Sequence, residues 1–126
     1  MSAISKRNVV HVEIPAADVQ AAGKFYQDLF GWKLQHAAEF DYTMWEDGSG
    51  YGGGFPKVNE HNPAGQVLVY FDSPDIEADL KRVEELGGTV VTPKTEIPGT
   101  GWFAVFKDPT GNVLALYTSM NPQFNK

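Results

Sequence analysis

The same aspartate and glycine residues recur in the two halves of the chain at a nearly constant interval. Matching residues flank the helical pattern in each half and a polar turn later in each half: Asp18 and Asp75, Gly31 and Gly88, Asp47 and Asp108, and Gly50 and Gly111. The first two pairs are 57 positions apart and the other two are 61 positions apart. An interval of about half the 126-residue chain indicates one duplicated unit and not an array of short repeats.

Each half has the pattern of a strand, a helix and three further strands. Apolar and polar residues alternate over 8–14 and again over 66–72, which is typical of strands. Helical spacing follows from Asp18, and in the second half Ser73 and Pro74 are in the favoured order for a helix start. The stripe predicted to be buried on the second helix is Ile76, Leu80, Val83 and Leu86. The remaining predicted strands are 33–37, 42–46, 51–56, 89–97, 102–107 and 113–118.

This order predicts an α+β fold made of tandem βαβββ units. We expect a single domain over 1–126, with a first unit at 7–56, a linker rich in Asn, Pro and Gly at 57–65, and a second unit at 66–119. A ferredoxin-like fold also alternates helices and strands, but it does not predict three consecutive strands after each helix.

Composition limits the classes of function. The absence of cysteine excludes disulfides and thiolate metal sites, and a net charge of −6 with a pI of about 4.9 disfavours nucleic-acid binding. No segment approaches the roughly 20 apolar residues of a membrane span, and no signal peptide is recognisable. We therefore expect a cytoplasmic protein with no membrane or nucleic-acid partner.

Four motifs together resemble the vicinal oxygen chelate superfamily, which includes glyoxalases, bleomycin-resistance proteins and extradiol dioxygenases. The motifs are HVEIP at 11–15, FYQDLFGW at 25–32, EELGG at 84–88 and DPTGN at 108–112. The segment 97–103 is similar to an uncharacterised, glyoxalase-related branch of this superfamily. The resemblance implies that the two units form a cupped mixed sheet around a ligand cavity. It also implies a homodimer.

The resemblance also implies four metal-ligand positions, one on the first and one on the last strand of each unit. These positions fall on His11, near Gly54, on Gln66 and on Ala115. Glycine and alanine carry no donor atom, whereas a catalytic zinc site has three protein ligands. We expect no cofactor and no tightly bound metal, and the weak binding of a divalent ion stays open.

Strand periodicity assigns the candidate site residues. His11 and Glu13 lie two residues apart on one strand face, where an imidazole and a carboxylate are able to act as an acid/base pair. Alternatively, Glu13 serves only to satisfy a half-buried histidine. The residues expected to line the ligand cavity are Gln66, Leu68, Tyr70, Trp45, Trp102, Ala115, Tyr117 and Gly54, with Tyr42 and Tyr51 as further candidate aromatic walls. The glycines at 52–54 are expected to leave space there.

Two functions follow from this pattern. The first is a small-molecule-binding protein similar to bleomycin-resistance proteins, without a tightly bound catalytic metal. The alternative is a lyase or isomerase related to lactoylglutathione lyase, which uses a weakly held divalent metal or the His11/Glu13 pair directly. A ligand-free structural or interaction subunit is a third reading. The sequence does not decide whether the protein is an enzyme.

Overall fold

The computed structural model describes residues 7–120. Over that range it contains eight strands, two α-helices and a short 3-10 helix at Ala38–Phe40. The strands and α-helices are β1 (Val9–Glu13), α1 (Val19–Phe30), β2 (Lys33–Ala37), β3 (Tyr42–Glu46), β4 (Gly52–Phe55), β5 (Leu68–Asp72), α2 (Ile76–Glu85), β6 (Thr89–Ile97), β7 (Gly101–Lys107) and β8 (Val113–Ser119). This order confirms the predicted α+β fold with two βαβββ units. Within 7–120 no helix combines the length and the apolar character that a membrane crossing needs.

The chain divides into two compact units. The first covers Val10–Leu68, and the second combines residues 7–9 with residues 69–120. The segment expected to be a linker, 57–65, therefore lies inside the first compact unit. Residues 7–9 belong with the second unit because the carbonyl of Asn8 accepts a hydrogen bond from the backbone N–H of Asp72, and Arg7 pairs with Asp79.

In the first unit, the four strands of the mixed sheet lie in the order β2-β3-β4-β1. β1 runs parallel to β4, and the other neighbours are antiparallel. Helix α1 packs on one face of this sheet over a core of Ala16, Trp45 and Phe55, each less than 9% exposed. The indole of Trp45 stacks on that of Trp32, with 3.9 Å between ring centroids. This core fixes which side chains of the sheet point away from the helix.

Local chemistry sets the ends of α1. The carboxylate of Asp18 accepts a hydrogen bond from the backbone N–H of Ala21, as an N-cap does. Gly31 ends the helix in the left-handed conformation, with a φ of 76°, and its N–H bonds to the carbonyl of Gln27. Both ends lie where the spacing of the sequence predicts them.

In the second unit, the four strands of the sheet lie in the order β5-β8-β7-β6, with β5 parallel to β8. Helix α2 packs on one face over a core of Ile76, Leu80, Ala104 and Leu116. Phe71, Val90, Trp102 and Phe106 are partly buried against the same core.

Three sequence expectations at the borders of β5 and α2 are wrong. Asp75, not Ser73, caps α2, because its carboxylate accepts from the N–H of Ala78, while the buried Ser73 hydroxyl donates to Asp79. Leu86 was expected to be buried but is 62% exposed, since the helix ends at Glu85. The alternation over 66–72 predicts that Val67 lies on the core face of the strand, but Val67 precedes β5 and is 48% exposed, so it lies outside the core.

Candidate functional site

The first unit has a hollow of about 530 Å³ beside the face of its sheet that points away from α1. We call this face the open face. Leu34 and Trp45 pack toward α1, so the alternating pattern of β2 and β3 turns their neighbours to the open face. Side chains that line the hollow include His11, Lys33, Gln35, Met44, Glu46 and Tyr51. The hollow thus combines apolar and aromatic surface with groups of both charges.

At the edge of this hollow, three side chains form a hydrogen-bonded triad. The hydroxyl of Tyr42 donates to Oε2 of Glu13 at 2.6 Å and lies 2.8 Å from Nε2 of His11. The direct distance from His11 Nε2 to Glu13 Oε2 is 3.8 Å. Tyr42 therefore stands between the two residues of the predicted acid/base pair and connects them.

The triad depends on Gly54. A Cβ atom placed on this glycine would lie 1.8 Å from the hydroxyl oxygen of Tyr42. Tyr42 belongs to β3, and its phenol crosses the middle strand β4 at Gly54 to reach the residues of β1. The missing side chain at position 54 is therefore space that Tyr42 fills.

Burial governs the protonation of His11. The side chains of His11 and Glu13 are 29% and 14% exposed. Desolvation lowers the pKa of His11 below its usual value of 6.5, and the negative charge of Glu13 opposes this shift in part. The imidazole is therefore neutral at neutral pH, which is the form that accepts or donates a single hydrogen bond at each nitrogen.

The structure places the predicted Trp45 mainly in the core of the first unit. Trp45 is 8% exposed and stacked on Trp32, and it contributes to the hollow as well. Its Nε1 is buried and has no hydrogen-bond partner among the described residues. Of the other predicted residues in this unit, Gln66 is half-buried ahead of β5, and Leu68 is 5% exposed.

In the second unit, the predicted residues divide between the two faces of the sheet. Tyr70 pairs with Ala115 across β5 and β8, and Tyr117 follows two positions later on the same face of β8. The Tyr117 hydroxyl donates to the carbonyl of Thr100, and burial raises the pKa of this phenol. Trp102 lies on the α2 side of the sheet under the ammonium of Lys94, so it does not share a wall with Ala115 and Tyr117.

The donor set does not suit the metal that the resemblance implies. The Gly54 position is filled by the Tyr42 hydroxyl, and Ala115 offers only a methyl group. Within residues 7–120, no three side chains of His, Cys, Asp or Glu come together in a way that could hold a metal ion. His11 and Glu13 supply two such donors, fewer than the three protein ligands of a catalytic zinc site.

Sequence reasoning missed two features of this site. It treated Tyr42 as an aromatic wall, although the tyrosine is the hydrogen-bonding centre of the triad. It also left out the polar side chains Lys33 and Gln35 at the hollow. The alternation of β2 and β3 around Leu34 and Trp45 was the signal that could have identified them.

Comparison with known proteins places the chain in a family. Residues 8–116 match the glyoxalase/bleomycin resistance protein/dioxygenase superfamily. A glyoxylase-like domain-containing protein from Didymella fabae is 31% identical over 115 residues, which cover 85% of this chain and 90% of that protein. A lactoylglutathione lyase from Haemophilus influenzae is 27% identical over 118 residues, covering 82% and 86%.

A solved structure agrees with this placement at the level of the fold. The methylmalonyl-CoA epimerase from Mycobacterium tuberculosis superposes with a TM-score of 0.71 at 19% identity, covering 98% of this chain and 95% of that chain. Similarity at this identity shows the shared fold alone. The family itself is shown by the match over residues 8–116 and by the relative in Didymella fabae. The chain belongs to the glyoxalase/bleomycin resistance protein/dioxygenase superfamily.

Proposed function

We propose that the protein binds a small organic molecule in the hollow on the open face of the first unit, without a tightly bound catalytic metal. The hollow of about 530 Å³ is within the range of small-molecule sites, which is about 300–1,000 Å³. Met44 and Tyr51 offer apolar contact, while Lys33, Gln35 and Glu46 offer a cation, an amide and a carboxylate. This lining suits a partly apolar ligand that carries polar groups.

The observation that carries the metal-independent form of this proposal is the position of Tyr42 over Gly54. A side chain cannot enter there as a ligand, and Nε2 of His11 is already engaged with the Tyr42 hydroxyl. Binding then depends on hydrogen bonds and apolar contact within the hollow. The family relationship supports a small-molecule ligand, since the epimerase of similar fold is named for a coenzyme A ester.

Isothermal titration calorimetry tests the proposal. The protein is treated with a chelator and titrated against a panel of metabolites and antibiotics. We expect saturable binding of at least one compound, retained after chelation and weakened by Gln35→Ala, which removes an amide from the hollow. Lys81→Ala, an exposed substitution on α2, is the control and should bind as the unmodified protein does. Absence of binding across the panel, or equal binding by Gln35→Ala, would contradict the proposal.

The second candidate is a lyase or isomerase that uses the His11/Glu13 pair or a weakly held divalent ion. The observation that favours it is the direct connection of His11 and Glu13 through Tyr42 at the edge of the hollow. Similarity to a lactoylglutathione lyase suggests the reaction class to assay. Turnover of a hemithioacetal that is abolished by His11→Ala would support this candidate. Unchanged activity in His11→Ala, together with no stoichiometric metal by elemental analysis, would remove it.

The proposal includes a homodimer that works in the cytoplasm. Related proteins of this superfamily are expected to pair, as the sequence motifs imply. Light scattering at micromolar concentration measures the mass in solution against the 13.9 kDa of one chain. A mass of one chain would contradict the dimer.

A further inference from the structure

We propose that Tyr42 is a positioning residue that has taken the place of a metal ligand: its hydroxyl, seated over Gly54, holds His11 and Glu13 in one triad and keeps divalent ions off the imidazole. The inference deepens the proposed function, because it explains how this site is organised without a metal. It rests on the proposed function only for the role of the adjoining hollow.

The phenol of Tyr42 occupies the volume that a side chain at position 54 would need. The glycine Cβ position lies 1.8 Å from the tyrosine oxygen and 2.1 Å from its Cζ, far inside van der Waals contact. Any side chain at position 54 would therefore displace the phenol. Tyr42 can hold this position only because residue 54 is glycine. Together the two residues bring an oxygen to the point where the resemblance places a ligand.

The two hydrogen bonds of the Tyr42 hydroxyl determine which atom donates in each. The Tyr42 hydroxyl has one proton, and that proton goes to Oε2 of Glu13 at 2.6 Å. The 2.8 Å contact with Nε2 of His11 then requires the nitrogen to donate and the tyrosine oxygen to accept. His11 is thereby fixed with its proton on Nε2.

The proton on Nε2 of His11 opposes metal binding. A histidine nitrogen binds a metal through its lone pair, and a protonated Nε2 has none to offer. A cation at Nε2 would need to remove this proton and displace the Tyr42 hydroxyl, which lies 2.8 Å from Nε2 and donates to the largely buried Glu13. The triad therefore competes with a metal for His11, and it orients both His11 and Glu13.

The tautomer of His11 tests the inference in the unmodified protein. Long-range ¹H–¹⁵N spectra at about pH 8, above the ordinary pKa of imidazole, separate the two neutral tautomers. We expect His11 to carry its proton on Nε2. His61, whose side chain is 84% exposed, gives a reference signal in the same spectrum. A proton on Nδ1 of His11 would overturn the inference, and this measurement needs no variant and no ligand.

Zinc binding at His11 tests the positioning role directly. Zn²⁺ is titrated while the His11 ring signals are followed, in the unmodified protein and in Tyr42→Phe. Removing the hydroxyl removes the competing hydrogen bonds, so we expect Zn²⁺ affinity at His11 to rise about tenfold, which corresponds to about 1.4 kcal/mol. Tyr26→Phe, which removes a hydroxyl on the α1 side of the same sheet, should match the unmodified protein. Equal zinc affinity in all three proteins would overturn the inference.

These outcomes separate the inference from the proposed function. Failure of the compound panel to bind contradicts the ligand site but leaves the His11 tautomer and the zinc result in force. The wrong tautomer or unchanged zinc affinity contradicts the role of Tyr42, while ligand binding by the hollow would still stand.

Discussion

Gly54 and Tyr42 are the two residues on which the geometry of the candidate site depends. Both lie in the first unit, Tyr42 on β3 and Gly54 on the adjacent strand β4. The hydroxyl of Tyr42 fills the space that a side chain at position 54 would take. A glycine in a strand interior lowers stability unless something packs against it. Here the phenol of Tyr42 supplies that packing and gains two hydrogen-bond partners, Glu13 and His11.

Gly54→Ala should therefore lower the free energy of unfolding by about 2–3 kcal/mol, because the new methyl group overlaps the Tyr42 hydroxyl. In a Tyr42→Ala background the overlap is gone, and the cost of Gly54→Ala should largely disappear. Urea unfolding of the two single variants and the double variant measures the coupling. An equal cost of Gly54→Ala in both backgrounds would contradict the shared volume.

His11 should titrate below pH 6.5. Burial lowers the pKa of the imidazole in the folded protein, and Glu13 only partly offsets this shift. Since the unfolded chain takes up the proton first, the contribution of His11 to stability is complete above about pH 6.5 and falls as the pH drops toward the lowered pKa. The shift of the His11 ring protons with pH, followed by NMR, gives the midpoint. A midpoint at or above 6.5 would show that Glu13 outweighs burial.

At the scale of elements, the 61-residue repeat is explained by two loops with the same hydrogen bonds. Oδ1 of Asp47 accepts from the backbone N–H of Ser49 and of Tyr51. Oδ1 of Asp108 accepts from the N–H of Thr110 and of Asn112 in the corresponding loop between β7 and β8. Each carboxylate stabilises a turn by accepting hydrogen bonds from backbone N–H groups of the loop.

The contribution of the Asp108 loop to the stability of the fold should decrease in acid. Backbone donation from Asn112 and the hydroxyl of Thr110 are the largest causes that lower the pKa of Asp108 from 3.8 to about 2. A lowered carboxyl pKa stabilises the fold above about pH 4, and this stability is lost as the pH falls toward 2. The difference in melting temperature between the unmodified protein and Asp108→Ala should thus shrink over that window. Glu39→Ala, on an exposed site, serves as the control, and a difference independent of pH would count against the prediction.

The start of α2 gives a second prediction at this scale. Asp75→Ala removes the side-chain acceptor for the Ala78 N–H and should cost about 1 kcal/mol of unfolding free energy. Asp75→Asn, which keeps an acceptor oxygen, should recover most of this loss. Thermal unfolding followed by circular dichroism makes the comparison. If Asp75→Ala is as stable as Asp75→Asn, the cap contributes nothing.

At the scale of the whole molecule, each unit has four strands, one α-helix and its own core. Ala16, Trp45 and Phe55 anchor the first core, while Ile76 and Leu80 belong to the second. The chemical groups are distributed unequally between the units. The hydrogen-bonded triad belongs to the first, whereas the position 61 residues after Gly54, within β8 of the second unit, carries Ala115, which is completely buried.

Chelation should leave the stability of the whole protein unchanged. Because no group of three suitable donors comes together in the part of the chain that the structure describes, no folding free energy should depend on a bound ion. Melting temperatures measured with a chelator, with added Zn²⁺ and with added Ni²⁺ should agree. A drop on chelation that added metal reverses would reveal a structural or catalytic ion.

The sequence determined the number, type and order of the elements. Helical and strand periodicity, together with Gly31 and Asp18, placed α1, and the alternation around Val12 and Ile14 placed His11 and Glu13 on one face. These features are local, since they depend on residues within a few positions of each other. Even so, local signals misplaced the cap of α2, because Ser73 and Asp75 both suit that role and tertiary contacts with Asp79 decided between them.

The tertiary structure alone decided what those residues do. The 57- and 61-residue intervals gave the duplicated unit, but they did not show that Tyr42 and Gly54 occupy one volume. That contact depends on the register between β3 and β4, and the register is set by the packing of Trp45 against α1. A missing ligand in the sequence is, in the folded protein, a space filled by a hydroxyl group that holds His11 and Glu13 together.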